Sequence, residues 1–423
     1  MTLEPLPIDL TTSLYQANAA AAKLARSRTL QRNAALQAIL NLLKDKQNEI
    51  LEANTLDLET SREMAASEVV LGWLKLTPEQ LQTTTRLLQQ LIALPDPLER
   101  MISSAYRTEQ SQTYTQLAPL GVVAFVYEAF PVLAIIAAAM CIKTANSIVL
   151  KGSSEGSQSN QVIADLLQTG VERAGLPTGC VQALASDGSI LVRDLIAQEQ
   201  DIDLVIPYGR PNLVQQVVRQ SAVPVLKSVR GNCYLFWSAT GSAEVAKSMI
   251  IDSHQGDPDP VNAIEKVLLH ANLNRSLLVV LFNSLKAKGF GLRAEAELAA
   301  EFPELQVASE TEWKQPYLKK IVAFRKVPGL EAAIAWINTH SSCHADCIVT
   351  ESYQESRAFI REVDSASTYI NASPRFYRSI GNLPGGISLG MSNQKGYSRG
   401  VIGLTALMTT KSVIQGEETV KNE

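Results

Sequence analysis

Thiols, imidazoles and carboxylates are the groups with which this chain could do covalent or metal chemistry, and they are few. Cysteines stand at 141, 180, 233, 343 and 347, with no CxxC pair and no even framework, which suits free thiols in a reducing compartment better than a disulfide scaffold. Cys233 begins an apolar run, where a free thiol commonly packs as a small hydrophobe. His340, Cys343, His344, Asp346 and Cys347 lie within eight positions and are residue types that suit zinc. Cys347 opens another apolar run, however, so its sulfur is expected in a core and no metal site is expected. Asp257 and Asp259 alternate with prolines. Such carboxylates could act as a base or hold a divalent ion, but between prolines they read as a solvated loop.

The elements that must position these groups follow from periodicity. Residues 12 to 65 carry apolar positions at helical spacing, among them Leu36, Ile39, Leu42 and Leu43, and predict a pair of amphipathic surface helices. From Gly121 the pattern changes to short apolar runs separated by helical ones: Gly121–Tyr127, Ser147–Leu150, Val181–Leu184, Leu204–Pro207 and Pro224–Leu226. Apolar strands with helical crossovers predict a parallel sheet covered on both faces. A second alternation has strands at Cys233–Trp237, Val267–His270, Ile321–Phe324, Cys347–Thr350 and Thr368–Asn371, with helices at Ser276–Ala287 and Leu330–Ile337. Two α/β lobes with a boundary near 228 result. Tyr106–Gln116 alternates like an extended ribbon, and Gly400–Ile414 reads as a strand before a charged tail.

Leu117–Ile142 is apolar for longer than a bilayer core requires, but Glu128 and Pro131 interrupt it. Strand Gly121–Tyr127 followed by a helix from Pro131 to Ile142 explains it better, with proline in the first turn where its missing N–H costs nothing. The balance of 38 basic against 42 acidic residues leaves no electrostatic footprint for nucleic acid or an anionic membrane. Met1–Leu14 has acidic residues and prolines in place of the basic and apolar segments of a signal peptide, so a cytoplasmic protein is expected.

Several words of the sequence, in order along the chain, resemble the γ-glutamyl phosphate reductases, an aldehyde-dehydrogenase-like family. They are Pro119-Leu-Gly-Val-Val123, Tyr127-Glu-Ala-Phe-Pro131, Lys151-Gly-Ser-Ser-Glu155 with Ser159-Asn160, Asn232-Cys233, Asn262-Ala-Ile-Glu265, His344-Ala-Asp346, Tyr369-Ile-Asn-Ala-Ser373 and Gln394-Lys395 with Ser398-Arg-Gly400. The resemblance implies an α/β fold of two doubly wound lobes plus a small β oligomerisation ribbon. It places an NADP(H)-binding lobe at 1–228 (with 106–118 in the ribbon), a catalytic-type lobe at 229–385, and a return segment with the C-terminal oligomerisation strand at 386–423. The implied reaction is NADPH-dependent reduction of L-glutamyl 5-phosphate to glutamate 5-semialdehyde and phosphate in proline biosynthesis. A cysteine thiolate displaces phosphate to give a thioester, which hydride then reduces.

Carried over residue by residue, the resemblance breaks at that chemistry. The nucleophile position is Val261, with neighbouring Asn262 retained, and valine has no nucleophile. The family's Arg-Pro-Asn is Phe130-Pro131-Val132, which puts phenylalanine at the anion-binding position and valine at the oxyanion position. Its Gly-Ala-Glu is Gly386-Ile387-Ser388. Phe130, Asn371 and Ser373 remain substrate-side candidates. On the cofactor side, Lys151, Gly152, Ser153 and Glu155 keep a cation and a small-residue turn that could meet a ribose phosphate. Gly209 is retained from a glycine-rich Arg-Gly-Gly-Ala-Gly turn that reads Tyr208-Gly-Arg-Pro-Asn212 here; side chains replace glycines that would allow close approach to phosphates, unless Pro211 simply starts a helix.

The expectation is therefore a family member with lost or altered reductase activity. The alternatives are an active reductase with a relocated nucleophile, and a non-catalytic oligomer partner or binder of NADP(H) or a glutamate derivative. Candidate partners are a second copy, an active reductase, or the glutamate 5-kinase that supplies the substrate.

Overall fold

The computed structural model of the protein describes residues 8–108, 111–186, 189–379 and 386–416. The chain divides into two compact units, one of Met1–Lys227, Arg378–Leu389 and Ile402–Glu423, the other of Ser228–Tyr377 and Gly390–Val401. Arg378–Leu389 thus group with the first unit rather than with the 229–385 lobe expected from the sequence, and Gly390–Val401 return to the second. The first seven residues and the charged tail after Gly416, on which part of the signal-peptide and tail expectations fall, lie outside the described residues.

The first unit opens with helices α1 (Ile8–Leu24), α2 (Thr29–Asp45), α3 (Gln47–Glu63), α4 (Glu68–Leu74) and α5 (Pro78–Ala93). Residues 12–65 therefore make three helices where periodicity predicted two. The apolar rhythm runs on across both breaks, and neither break carries a glycine or proline. After strands β1 (Met101–Thr108) and β2 (Ser111–Pro119) comes the alternation β3 (Val122–Tyr127), α6 (Pro131–Lys143), β4 (Ser147–Gly152), α7 (Ser157–Arg173), β5 (Val181–Ala183), α8 (Val192–Ile196), β6 (Leu204–Tyr208) and α9 (Pro211–Gln220). The four inner strands form a parallel sheet in the order β5-β4-β3-β6.

Every residue of β3 and α6 is buried, because α6 touches the sheet on one side and α2, α5 and α7 on others. This is why the segment is apolar all round. Among the described residues no helix is long and apolar enough to cross a membrane. Pro224–Leu226, expected as a fifth strand, makes only one bridge, Val225 to Val205, since Pro224 has no N–H to extend a ladder.

The second unit carries β7 (Cys233–Trp237), α10 (Ala243–Ser253), β8 (Ile264–His270), α11 (Arg275–Ala287), β9 (Gly291–Ala294), α12 (Ala296–Glu301), β10 (Gln306–Val307), β11 (Ile321–Val327), α13 (Leu330–His340), β12 (Ala345–Val349), α14 (Tyr353–Glu362) and β13 (Ser367–Ile370). Its seven strands are parallel in the order β10-β9-β11-β8-β7-β12-β13. Leu235 and Trp237 pack with α10, α11 and α12 on one face, and Tyr234 and Phe236 with α13 and α14 on the other. That alternation of neighbours is the period-two pattern of a strand buried on both sides.

Gly400–Ile414 is not one strand. It divides into β15 (Gly400–Gly403), which pairs with β14 (Ser388–Ser392), a short 3₁₀ turn over Leu404–Leu407 whose Leu404, Ala406 and Leu407 are buried, and β16 (Met408–Gly416). β16 pairs antiparallel with β2, which carries β1 on its other edge, so these three strands form a separate ribbon.

Candidate functional site

Within the second unit, residue 261 sits in a loop between α10 and β8 that hydrogen bonds hold closely. The Val261 N–H donates to Asp259 O and its carbonyl accepts from Gly231 N–H at 2.8 Å. Its side chain is fully buried against Phe376, Met391 and Val229. Asn262 donates to Pro374 O at 2.8 Å, which ties the loop to the segment after β13. The Arg230 guanidinium meets the Asp259 carboxylate at 3.1 Å, both nearly buried. Asp259 is thus part of an ion pair, not the solvated loop its flanking prolines suggested.

Behind residue 261 lies a buried Cys–His contact. Cys233 Sγ is 3.3 Å from His344 Nε2, and His344 Nδ1 is 2.8 Å from Ser342 Oγ. Ser342 has one hydroxyl hydrogen and faces the carbonyls of Gly231 (2.9 Å) and Asn232 (3.2 Å), to which it must donate. His344 Nε2 faces both the Cys233 thiol and, at 3.2 Å, the Val261 carbonyl, which can only accept, so the direction of each ring contact follows the tautomer. Burial pushes the Cys233 thiol well above its ordinary range and holds the His344 imidazole down at about 4, so both are neutral near pH 7. A thiol in that state is a poor nucleophile.

The other second-unit candidates serve structure as well as surface. Asn371, at φ 52°, donates to Thr350 O and accepts from Thr350 N–H, which closes the end of β13. Ser373 Oγ accepts from Arg375 N–H. Both line an open cavity of about 510 Å³ with Glu244, Val245, Ser248, Met249 and Asp252 of α10. His340 stacks on Trp336, and Asp346 accepts from Tyr234 N–H and from the Ser341 and Ser365 hydroxyls, with burial lifting its carboxyl to about 6. Cys347 is fully buried. Among the described residues no three His, Cys, Asp or Glu side chains are grouped to hold a metal.

In the first unit, Phe130, Val132, Lys151, Gly152, Ser153, Glu155 and Gly209 gather where β3, β4 and β6 end and the next elements begin. Phe130 offers no surface to a substrate. It is fully buried, stacked on Trp73 (centroids 4.9 Å) and edge-on to Tyr208 (5.3 Å), which corrects its assignment as a substrate contact. Val132 is likewise buried in the first turn of α6. Lys151 is buried too, its ammonium donating to Ala185 O. Ser153 Oγ accepts from Ala129 N–H. Pro211 is the first residue of α9, so the departure from the glycine-rich turn is a helix start.

A nicotinamide dinucleotide needs room for a nucleoside and donors for a diphosphate. A polar cavity of about 240 Å³, lined by Tyr127, Gly152, Gln158, Asn160, Ala185 and Ser186, fits the first. Among the described residues, the amides at the two helix starts do not fit the second. The leading amides of α7, Gln158 N–H and Ser159 N–H, already donate to the Asp57 carboxylate at 2.9 and 2.8 Å. Arg210 N–H, just before α9, donates to Glu128 at 2.6 Å. Sequence inspection missed Asp57 altogether; Glu128 was visible only as part of a motif, without its partner.

Residues 9–231 match the aldehyde dehydrogenase family. The chain is 51% identical, over 91% of its length and 92% of the relative, to gamma-glutamyl phosphate reductase 2 of Synechocystis sp.. It is 35% identical to gamma-glutamyl phosphate reductase of Gloeobacter violaceus over 97% and 99% of the two chains. The crystal structure of gamma-glutamyl phosphate reductase from Thermotoga maritima superposes with a TM-score of 0.88 at 29% identity, covering 98% of this chain and 100% of that one. Sequence and fold thus agree along nearly the whole length, and the chain belongs to the γ-glutamyl phosphate reductases of the aldehyde dehydrogenase family.

Proposed function

We propose that this chain keeps the reductase fold while the thioester route at residue 261 is closed, so that it acts as a binding member of its family rather than as a thiol-dependent reductase. The observation that carries this is Val261 itself, a side chain without a nucleophile, fully buried against Phe376 and Met391. The buried Phe130 and Val132 support it, since neither can donate to a phosphate or to a developing oxyanion. The family reaction run backwards tests it: purified protein with glutamate 5-semialdehyde, phosphate and NADP⁺, followed at 340 nm. No NADPH formation is expected, and turnover would overturn the proposal.

One observation favours a second reading, retained reductase activity. The Cys233 thiol already touches an imidazole oriented by Ser342, the arrangement of an activated nucleophile. The 51% identity to a relative named as a reductase points the same way. On this reading turnover would be found, and Cys233→Ala would abolish it.

Association is the other part of the proposed role. β16 lies at an edge of the ribbon with most of its residues exposed, Ile414 at 72%, and an unpaired strand edge is a template for a further strand. A homo-oligomer built through the ribbon is the proposed state. Light scattering behind size exclusion would show a monomer if it is wrong, and co-expression with an active reductase or glutamate 5-kinase would reveal mixed assemblies.

A further inference from the structure

In the four-stranded sheet of the first unit, β4 and β5 lie to one side of β3 and β6 to the other. The carboxyl ends of β3 and β6 therefore flank the point where strand order reverses, the usual place for an anionic ligand to meet loops and a helix N-terminus. Glu128 follows β3 there, and Arg210 follows β6. Glu128 Oε2 accepts from Arg210 N–H at 2.6 Å, and the Arg210 side chain closes on the same carboxylate with Nη2 to Oε1 at 2.9 Å and Nε to Oε2 at 3.2 Å. Gly209 makes room for this, since a Cβ there would come within 2.6 Å of Glu128 Oε2 and 2.8 Å of Leu213 Cδ2. The pair stands at the surface, with side-chain exposures of 13% for Glu128 and 49% for Arg210.

We propose that Glu128 excludes a dinucleotide's diphosphate from this strand end, by filling the anion position before α9 with the chain's own carboxylate under a bidentate arginine clamp. The proposal rests on the first unit being the lobe that would take a dinucleotide. An incoming diphosphate must either displace Glu128, stripping a carboxylate of its amide and guanidinium donors, or approach it against like-charge repulsion. The neighbouring helix offers no second place, because Asp57 already accepts from the leading amides of α7. The ligand class left to the adjoining cavity is a nucleoside-sized molecule without a diphosphate.

Calorimetric titration with NADPH and, separately, with inorganic pyrophosphate tests this on the full chain, the Glu128→Gln variant and the Arg210→Gly variant. Glu128→Gln keeps the shape of the contact and frees the guanidinium. NADPH is expected to bind it at least about tenfold more tightly than wild type, with the gain fading as salt rises. Arg210→Gly leaves the carboxylate in place, and its affinity is expected not to rise. If NADPH binds neither wild type nor Glu128→Gln while pyrophosphate binds Glu128→Gln alone, the exclusion stands and the dinucleotide reading of the lobe falls. No gain for either probe in Glu128→Gln, with the variant shown folded by circular dichroism and Glu128→Ala behaving alike, would overturn the proposal, as would tight NADPH binding by wild type.

Discussion

Cys233 Sγ and His344 Nε2 lie 3.3 Å apart, both residues without any exposed surface, directly behind the peptide of residue 261. Geometry alone would call this an activated thiol, but burial opposes it by disfavouring both members of a thiolate–imidazolium pair. Iodoacetamide at pH 8 separates the two views. The native protein is expected to be labelled slowly and only at the half-buried Cys343, whose thiol burial pushes to about 11. All five cysteines become reactive once the chain is unfolded. Rapid native labelling of Cys233, read by peptide mass spectrometry, would mean that the pair opens to solvent.

On the proposed reading of residue 261 as the family's nucleophile position, a cysteine placed there is expected not to give turnover. Val261→Cys would put a thiol among Phe376, Met391 and Val229, still without an oxyanion donor at 132 or a cation at 130. The substitution should cost about 1 kcal/mol of stability, a value typical of removing one buried methyl group. Robust NADPH-dependent activity of this single variant would show that the other departures are harmless.

How much of this could be read in the sequence depended on how far apart the interacting residues lie. β3 and α6 were legible because a proline in the first turn of a helix is a local signal, and most of the parallel strands because each contains a short apolar run. That residues 130, 132 and 261 depart from the family's pattern is an expectation drawn from neighbouring words alone. What escaped were pairings across long separations: Glu128 with Arg210, 82 positions on, Asp57 with the start of α7, 101 positions on, and Cys233 with His344, 111 positions on. Short elements escaped as well. β9 is four residues with a charged Arg293 inside it, too little for a period to emerge. Phe130 was located correctly in the chain yet assigned to a ligand, because its stacking partner Trp73 belongs to a helix 57 positions earlier whose role no local pattern announces.

Acid should destabilise the protein through two buried imidazoles. Burial lowers His344 and His254 from 6.5 to about 4. The unfolded chain takes up protons at each of them as pH falls through 6.5, while the native chain does not until about 4. Their contribution is thus fully present above 6.5 and lost on the way down, at ~2 kcal/mol for each histidine by pH 5. Asp346 works in the opposite sense, since burial raises its carboxyl to about 6 and the native state then holds a proton that the unfolded state has released. Urea unfolding at pH 7 and pH 5 is expected to show a net loss. His254→Gln should flatten the slope and Asp346→Asn should steepen it.

The Asp57 carboxylate should matter to the first unit out of proportion to its place on a peripheral helix. It satisfies two amides at the start of α7 and is itself only 3% exposed. Asp57→Ala leaves those donors without an acceptor and removes a negative charge from the positive end of the helix dipole. A loss of about 2 kcal/mol is expected by chemical denaturation, the upper part of the range for helix caps. Asp57→Asn should recover part of it, because the amide oxygen can accept one of the two bonds.

Phe130→Arg, which on the proposed reading returns the family's residue, is expected to unfold the first unit locally rather than to create an anion site. The side chain at 130 has no exposed surface and is enclosed by Trp73 and Tyr208, with Tyr208 in turn bonded to the Arg378 guanidinium at 3.2 Å. A second guanidinium there would be desolvated and near a like charge, at a cost of roughly 4 kcal/mol. The aromatic enclosure and the phenylalanine therefore depend on each other, and reversal needs a smaller residue at 73 in the same molecule. Thermal melting decides it. A drop of many degrees for Phe130→Arg, relieved in part when Trp73→Leu is added, is the expected pattern. An unchanged melting temperature would mean that the 130 side chain can swing out to solvent, and the position would again be open to a phosphorylated substrate.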